Sequence, residues 1–137
     1  MKIHDIMTQG VETITPDRPI SEAARAMIHE DCGAIFVQEE DRLVGVITDR
    51  DIVIRLVAKN LSADTPVREI MTHHIRYCFD DDDVQRVAEN MADLHVRRLP
   101  VVNRQKRLVG IVSLGNFASG AHISAGSTLL RGVAQAH

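Results

Sequence analysis

The sequence predicts an α+β fold made of two pseudo-symmetric β-α-β-β-α units packed sheet to sheet. Three observations predict it: the chain repeats itself internally, its apolar residues switch between helical and strand spacing, and it is rich in Val and Ile. Aromatic residues are scarce, with Phe 3, Tyr 1 and Trp 0. Because β-branched residues favour strands, we expect an aliphatic core in which strands contribute much of the packing.

The internal repeat is carried by two short strings that occur twice in the same order. Asp-Ile-Met-Thr at residues 5–8 returns as Glu-Ile-Met-Thr at 69–72. Arg-Leu-Val-Gly at 42–45 returns at 107–110. Matching strings at a nearly constant spacing indicate a tandem of similar structural units. The predicted organisation is a first unit at residues 1–62, a second unit at 63–121 and a C-terminal tail at 122–137.

Each repeat opens with a short extended segment, at residues 12–15 and 76–79, followed by a turn rich in Pro or Asp. A helix is predicted next, because apolar residues then recur at helical spacing. The residues of the predicted inward faces are Ile20, Ala23, Ala24, Met27 and Ile28 in the first repeat, and Val84, Val87, Ala88 and Met91 in the second.

Two apolar runs after each helix predict a pair of antiparallel strands. They are residues 34–37 and 43–48 in the first repeat, and 99–102 and 108–113 in the second. A final helix is predicted after Thr48. Its predicted inward residues are Ile52, Val53, Leu56 and Val57. A single unit of under about 60 residues would be marginally stable alone, so we expect the two sheets to pair and to leave ligand-sized clefts between the units.

Composition and charge exclude several classes of partner. The chain has 16 basic and 19 acidic residues, a net charge of -3, which lacks the basic footprint of a nucleic-acid binder. Its few aromatics cannot form a stacking platform for single strands, and no apolar run approaches the ~18 residues of a membrane span. Cys32 and Cys78 have no metal or redox spacing. We therefore expect a cytoplasmic protein with reduced thiols, no nucleic-acid partner and no membrane partner.

The string GVITDRD at residues 45–51 is the most informative motif. Thr48 and Asp51 have the spacing of a capping box at a helix N-terminus. The same hydroxyl and carboxylate can instead hold the paired hydroxyls of a ribose, because a carboxylate only accepts hydrogen bonds. Backbone amides at the same helix end would favour a phosphate. The residues alone leave both interpretations open.

The repeated openings at 5–8 and 69–72, GVITDRD at 45–51 and RRLPVV at 97–102 together resemble the tandem CBS-domain (Bateman module) family over residues 3 to about 120. The resemblance implies a stand-alone regulatory or sensor module. Its ligand would be an adenine nucleotide (AMP, ATP or a NAD-like molecule) bound between the units, with no required cofactor. It also implies a homodimer and an unidentified effector protein that reads the bound state.

The resemblance further implies a crossed site, with ribose on the first repeat and phosphate on the second. Thr48 and Asp51 match the ribose-binding pair of the family. Arg97 and Arg98 match its basic string, and arginine suits phosphate because its planar fork donates two hydrogen bonds. The other predicted ligand-binding residues are Val46, Arg50, Ile75, Arg76, Tyr77 and Pro100.

The pseudo-symmetric cleft is predicted to be weaker. Ser113 keeps the hydroxyl, but Asn116 replaces the carboxylate with an amide, whose oxygen accepts without charge assistance. Gly33 and Ala34 stand where the other repeat has its two arginines, and Thr13 completes this set. We expect one good nucleotide site and one weak or vestigial one.

Two alternatives remain: a ligand-free protein–protein interaction module, and a metal-dependent enzyme. The four Asp residues at 80–83 are predicted to complement a helix dipole rather than to bind a cation, which needs several converging oxygen ligands. His73, His74, His95 and Cys78 lack the spacing of a zinc site. No catalytic constellation is recognisable, so neither a metal site nor an enzymatic activity is predicted.

Overall fold

The computed structural model describes residues 1–118, and the predicted tail at 122–137 lies outside them. The chain forms two compact units, each built around one repeat. The first-repeat unit is Glu12–Ile75, and the second-repeat unit joins Met1–Val11 to the described residues from Arg76 onward. The ends of these units differ from the repeat boundaries, because the segment preceding each predicted first strand packs with the other repeat.

The first-repeat unit contains a three-stranded sheet in the order β1-β2-β3. Strand β2 pairs parallel with β1 and antiparallel with β3. The elements in chain order are β1 (Thr13–Ile14), α1 (Ile20–Glu30), β2 (Ala34–Glu39), β3 (Arg42–Thr48), α2 (Asp49–Asp51), a π-helix (Ile52–Leu56), a 3₁₀ helix (Val57–Lys59) and α3 (Val67–Ile70).

The second-repeat unit repeats this arrangement in a sheet of order β4-β5-β6. After a 3₁₀ helix (Ile3–Asp5), its elements are β4 (Cys78–Phe79), α4 (Val84–Leu94), β5 (Arg98–Val102), β6 (Leu108–Ser113) and α5 (Leu114–Phe117). The pairing pattern is the same, with an irregularity at the corresponding place in β2 and β5. The predicted α+β class and the repeated β-α-β-β-α order are confirmed.

Each unit buries its own core, which is mainly aliphatic. In the second-repeat unit all four predicted inward residues of α4 are buried, including Ala88 and Met91 at 0% exposure. In the first-repeat unit Ile20, Ala23 and Met27 are buried as predicted.

Three residues predicted to face inward are exposed instead: Ile28 at 80%, Val53 at 59% and Val57 at 62%. The buried stripe of α1 extends to Ala26 rather than to Ile28. After β3 the chain forms a π-helix, whose i→i+5 hydrogen bonds change the angular spacing of side chains. The spacing used to place Val53 and Val57 therefore does not apply.

The segments that complete each unit approach the last strand of its sheet very closely. Val46 and Thr72 exchange two backbone hydrogen bonds of 3.0 and 2.8 Å in the first-repeat unit, as Thr8 and Ile111 do at 2.8 and 3.0 Å in the second. A Cβ atom at Gly45 would lie 2.9 Å from the Thr72 carbonyl oxygen. Glycine is needed there because any side chain would displace this segment.

None of the helices within residues 1–118 is both long and apolar enough to cross a membrane.

Candidate functional site

Thr48 and Asp51 close the N-terminus of α2 with a complete capping box. The Asp51 backbone N–H donates to Thr48 Oγ1 at 3.0 Å, and the Thr48 N–H donates to Asp51 Oδ2 at 3.0 Å. The capping interpretation is therefore confirmed. Asp51 is only 8% exposed, the one charged residue buried in the described part of the chain. A buried carboxylate is costly unless neighbours compensate it, so its surroundings matter for function.

Two residues that contact Asp51, Thr72 and Arg55, were not predicted from the sequence. The Thr72 hydroxyl donates to the carboxylate, lying 3.2 Å from Oδ1 and 3.3 Å from Oδ2. Arg55 Nε lies 3.9 Å from Asp51 Oδ1, and Arg55 Nη1 donates to the carbonyls of Ile70 and Met71 at 3.2 and 3.1 Å. The recurrence of Thr at matching positions 8 and 72 was a usable signal for Thr72. Nothing local in the sequence pointed to Arg55, because its placement depends on the π-helix.

The Asp51 carboxylate keeps capacity to accept further hydrogen bonds. A carboxylate offers about four acceptor positions. The Thr48 N–H and the Thr72 hydroxyl supply one proton each, and the Arg55 contact is longer than a hydrogen bond. About two acceptor positions therefore remain, the number that a vicinal diol requires.

The equivalent residue of the second-repeat unit, Asn116, has no such capacity. Its Oδ1 accepts from the Ser113 N–H at 2.8 Å and from the Ser113 hydroxyl at 3.0 Å. Its Nδ2 donates to the Ile6 carbonyl at 2.9 Å and to Thr8 Oγ1 at 3.2 Å. An amide has two lone pairs and two N–H groups, so these four bonds saturate it.

Arg98 begins β5 and Arg97 immediately precedes it, and both are exposed. Within residues 1–118 their guanidinium groups form no ion pair, and the same holds for Arg50 and Arg76. Other arginines are paired: Arg18 with Glu22, Arg68 with Asp17 and Glu39, and Arg104 with Asp81. An unpaired, accessible guanidinium is available for a phosphate.

The corresponding corner of the first-repeat unit is acidic. The Asp49 N–H donates to the Gly33 carbonyl at 2.9 Å, as the Leu114 N–H donates to the Arg97 carbonyl at 3.0 Å. A Cβ at Gly33 would lie 2.8 Å from Asp49 Oδ2. A carboxylate therefore packs against the position where the other repeat carries a guanidinium.

The remaining predicted residues are distributed between the two units. Val46 bridges to Thr72, and Ile75 is half-buried at the end of the first-repeat unit. Pro100 is buried in β5 opposite Ile111. Of the residues predicted for the weaker cleft, Thr13 lies in β1 and Ala34 lies in β2, where it pairs with Thr48.

Tyr77 is 40% exposed and packs edge-on against Phe79, with ring centroids 5.7 Å apart. It lines a cavity of about 600 Å³ within the second-repeat unit, together with Phe79, Arg86, Asn90 and Arg104. Of the predicted ligand-binding residues, Tyr77 is the one that lines this cavity.

The acidic run at 80–83 precedes α4, as predicted, and three of its carboxylates have partners within the protein. Asp83 caps α4 by accepting from the Arg86 N–H at 3.2 Å, and Asp82 accepts from the Phe79 N–H at 2.9 Å. The Arg104 guanidinium, hydrogen-bonded to Asp81, holds the pKa of that carboxyl below its usual value.

The thiols and histidines do not gather as a soft-metal cluster in the described residues. Burial raises the pKa of the Cys78 thiol to about 12. Among residues 1–118, the group whose possible ligand atoms all lie within 4.8 Å of one another is Glu12, His29 and Glu30. His29 and Glu30 are exposed, and His29 Nδ1 lies 3.4 Å from Glu12 Oε2.

The chain belongs to the CBS domain family, whose sequence model matches residues 3–58 and 67–120. The CBS domain-containing protein YhcV of Bacillus subtilis is 40% identical over 129 residues, covering 93% of this chain and 91% of that protein. The two matches fall on the two repeats and confirm the resemblance on which the site prediction depends.

Solved structures of CBS pairs share the fold. Hypoxic Response Protein I with two coordinated zinc ions is 35% identical, with a TM-score of 0.76 over 86% of this chain and 97% of that chain. A CBS domain protein of Pyrobaculum aerophilum complexed with AMP is 25% identical, with a TM-score of 0.74 over 98% and 99%. A CBS domain pair in complex with 5′-methylthioadenosine and S-adenosyl-L-methionine is 29% identical, with a TM-score of 0.72 over 86% and 93%.

Proposed function

We propose that this chain is a regulatory CBS pair that binds an adenosine phosphate, with Asp51 holding the ribose. The observation that carries the proposal is the Asp51 carboxylate, which is 8% exposed yet keeps about two unfilled acceptor positions. Such a group is costly to bury, and a ligand that donates two hydroxyl protons would satisfy it.

The ribose end of the proposed ligand rests on the α2 N-terminus. Asp51 accepts from the 2′- and 3′-hydroxyls, and the Thr48 hydroxyl adds a further polar contact. Val46 in the neighbouring strand supplies an apolar surface beside the base. The relatives with AMP, and with methylthioadenosine and S-adenosylmethionine, support an adenosine ligand, since adenosine is common to all three.

The phosphate end rests on Arg97 and Arg98. Their guanidinium groups, which form no ion pair within residues 1–118, favour AMP, ADP, ATP or NAD over S-adenosylmethionine and methylthioadenosine, which carry no phosphate. Arginine–phosphate hydrogen bonds are charge-assisted and bidentate. We propose that ligand binding changes the state of the pair and that a separate effector protein in the cytoplasm reads it.

Isothermal titration with a panel of ligands tests this proposal. AMP is expected to bind, 2′-deoxy-AMP about 10-fold more weakly because one charge-assisted hydrogen bond is lost, and methylthioadenosine also more weakly than AMP. In a parallel thermal-shift series, binders raise Tm by mass action. If no adenosine compound binds or shifts Tm, the function proposed here is wrong, and the ligand-free interaction module is the better description.

We also propose that the pair forms a homodimer through the first-repeat unit. Its exposed large apolar residues are Ile28, Val53, Ile54, Val57 and Leu61. Four of these five residues fall within positions 53–61, and a large exposed apolar patch is typical of an interaction surface. At the repeat positions of Ile28 and Val53 the second repeat carries only Ala92 and Ala118.

Light scattering coupled to gel filtration tests the dimer. Val53→Asp should convert a dimer to a monomer, because a carboxylate at an apolar interface is desolvated without a partner. Ala118→Asp, the matched change in the second repeat, should leave the dimer intact. A monomeric wild-type protein, or a Val53→Asp dimer, would contradict this part of the proposal.

A further inference from the structure

The segment at residues 70–72 and the segment at 6–8 are held by different side chains although they occupy equivalent places in the two units. The Ile6 carbonyl accepts from Asn116 Nδ2 at 2.9 Å. The Ile70 carbonyl accepts from Arg55 Nη1 at 3.2 Å, and the same atom reaches the Met71 carbonyl at 3.1 Å. One task, donating a proton to this carbonyl, is therefore performed by an amide in one unit and by a guanidinium in the other.

The difference follows from the residue at the end of the capping box. An ionised carboxylate has no proton to donate, whereas an amide has two. A unit with Asp51 therefore needs a separate donor for the Ile70 carbonyl, and a unit with Asn116 does not. In the second repeat the position that corresponds to Arg55 is Gly120, which has no side chain.

Charge adds a second requirement that only the first-repeat unit has. The side chain of Asp51 is 11% exposed, and that of Arg55, one helical turn later, is 46% exposed. The 3.9 Å separation between Arg55 Nε and Asp51 Oδ1 places a positive charge beside the buried carboxylate. This offsets part of the cost of burying the charge, which the neutral Asn116 does not incur.

We propose that Arg55 is the positioning residue that allows this unit to keep a ligand-binding carboxylate at position 51. It fixes the 70–72 segment through two carbonyls, so Thr72 stays against Asp51 and the carboxylate is held in one orientation. The role of Arg55 in ligand binding rests on the proposed function, whereas its role in fixing the 70–72 segment does not.

A double-mutant cycle in the full-length protein tests the structural part. Arg55→Ala leaves two carbonyls without their donor and a carboxylate without its cation, and should lower Tm by about 4 °C. In Asp51→Asn/Arg55→Ala the introduced amide can donate to the Ile70 carbonyl, as Asn116 does to Ile6. The double variant should therefore recover most of the lost Tm. Equal Tm losses for Arg55→Ala in the Asp51 and Asp51→Asn backgrounds would overturn the proposal.

The converse change is the matched control in the other unit. Asn116→Asp removes the donor to the Ile6 carbonyl and introduces a carboxylate without an arginine at the corresponding position. Asn116→Asp should lower Tm by more than Asp51→Asn does. Asp51→Asn removes a buried charge and introduces an amide that can donate a hydrogen bond. A smaller loss for Asn116→Asp would count against the assignment.

AMP titration of the same variants tests the positioning role. Arg55→Ala should weaken AMP about 10-fold at a temperature where the variant is fully folded, because the carboxylate is no longer held in place. The double variant should be folded but bind AMP at least as weakly. If Arg55→Ala binds AMP as wild type does, Arg55 is structural only and the positioning role is wrong. If wild type binds no AMP, the proposed function fails while the Tm cycle still decides whether Arg55 secures the 70–72 segment.

Discussion

The two units of this chain use the same backbone frame at the end of the third strand for different chemistry. In the first-repeat unit the capping box ends on a buried carboxylate, Asp51, with acceptor positions to spare. In the second-repeat unit it ends on Asn116, whose side chain accepts from Ser113 and donates to Ile6 and Thr8. Under the proposed function, this one substitution separates the unit that holds the ribose from the unit whose amide is already bonded within the protein.

A second difference between the repeats reverses the charge of the neighbouring corner. Where the second repeat has Arg97, the first has Gly33, and the Asp49 carboxylate packs against it. Where the first repeat has Asp49, the second has Leu114. Under the proposed function, Asp51 holds the diol while Arg97 and Arg98 hold the phosphate. Their counterparts in the other repeats offer a saturated amide at Asn116 and an acidic corner at Gly33, which repels phosphate.

The largest effect is expected when the Asp51 and Asn116 side chains are removed in turn, because the comparison of the two units depends on them. Asp51→Ala should weaken AMP about 100-fold, since two charge-assisted hydrogen bonds are lost. Asn116→Ala should change AMP affinity by less than about 2-fold, while costing about 1 kcal/mol of stability because the Ile6 carbonyl loses its donor. Isothermal titration and chemical denaturation measure the two effects. Equal affinity losses would mean that the competent set of residues is assigned to the wrong repeat.

The shared frame can be tested by adding one methyl group to each unit. Gly45→Ala and Gly110→Ala place a Cβ 2.9 Å from the Thr72 carbonyl and 2.8 Å from the Thr8 carbonyl. Each should cost about 2 kcal/mol of unfolding free energy by overpacking. Urea denaturation should give similar losses for both variants. A loss at only one glycine would show that the frames differ more than their backbones indicate.

The charged corner can be probed by substituting Arg97 or Arg98. Arg97→Ala or Arg98→Ala should weaken AMP about 10-fold, the loss expected from removing one charge-assisted contact. Adenosine binding should be unchanged, because adenosine has no phosphate. Arg104→Ala is the matched control, since its guanidinium is engaged with Asp81 and the Phe79 ring. If either variant weakened adenosine as much as AMP, the phosphate would not bind at this corner.

The smallest expected effect is a pH dependence that Cys78 gives to the second-repeat unit. Burial raises the pKa of Cys78 to about 12, against about 8.5 in an unfolded chain. The contribution of the protonated Cys78 thiol to stability is complete at a pH below its pKa in the unfolded chain. It is lost as the pH rises towards its pKa in the folded protein. The wild type should therefore lose about 1 kcal/mol more than Cys78→Ala between pH ~8 and ~9.5.

Cys32→Ala is the control for this series because it removes the other thiol. The position matching Cys78 in the first repeat is Ile14, which has no proton to lose. Identical slopes for wild type and Cys78→Ala would show that this thiol does not couple to folding.

Much of the fold was predictable because it is encoded locally and twice. The repeated strings, the α4 apolar face and the β2–β3 hairpin follow from short-range periodicity, and each has a counterpart in the other repeat. The Thr48–Asp51 capping box was predictable for the same reason, since its spacing is a local rule. The saturation of Asn116 was not, because Ile6 and Thr8 lie far away along the chain.

The features that escaped prediction depend on contacts between distant segments or on an irregular helix. Thr72 reaches Asp51 only because its segment bridges to Val46. Arg55 reaches Ile70 and Met71 from within a π-helix, which regular helical spacing does not anticipate. The same irregularity turned Val53 outward. Residues that support the candidate site are thus harder to predict than the residues at its centre.

The most direct test of the asymmetry is the stoichiometry of AMP binding to the wild-type chain. Native mass spectrometry and isothermal titration should give one tight AMP per chain, with any second site at least about 100-fold weaker, because Asn116 is saturated and the Gly33 corner is acidic. Two equal, high-affinity sites per chain would contradict the account.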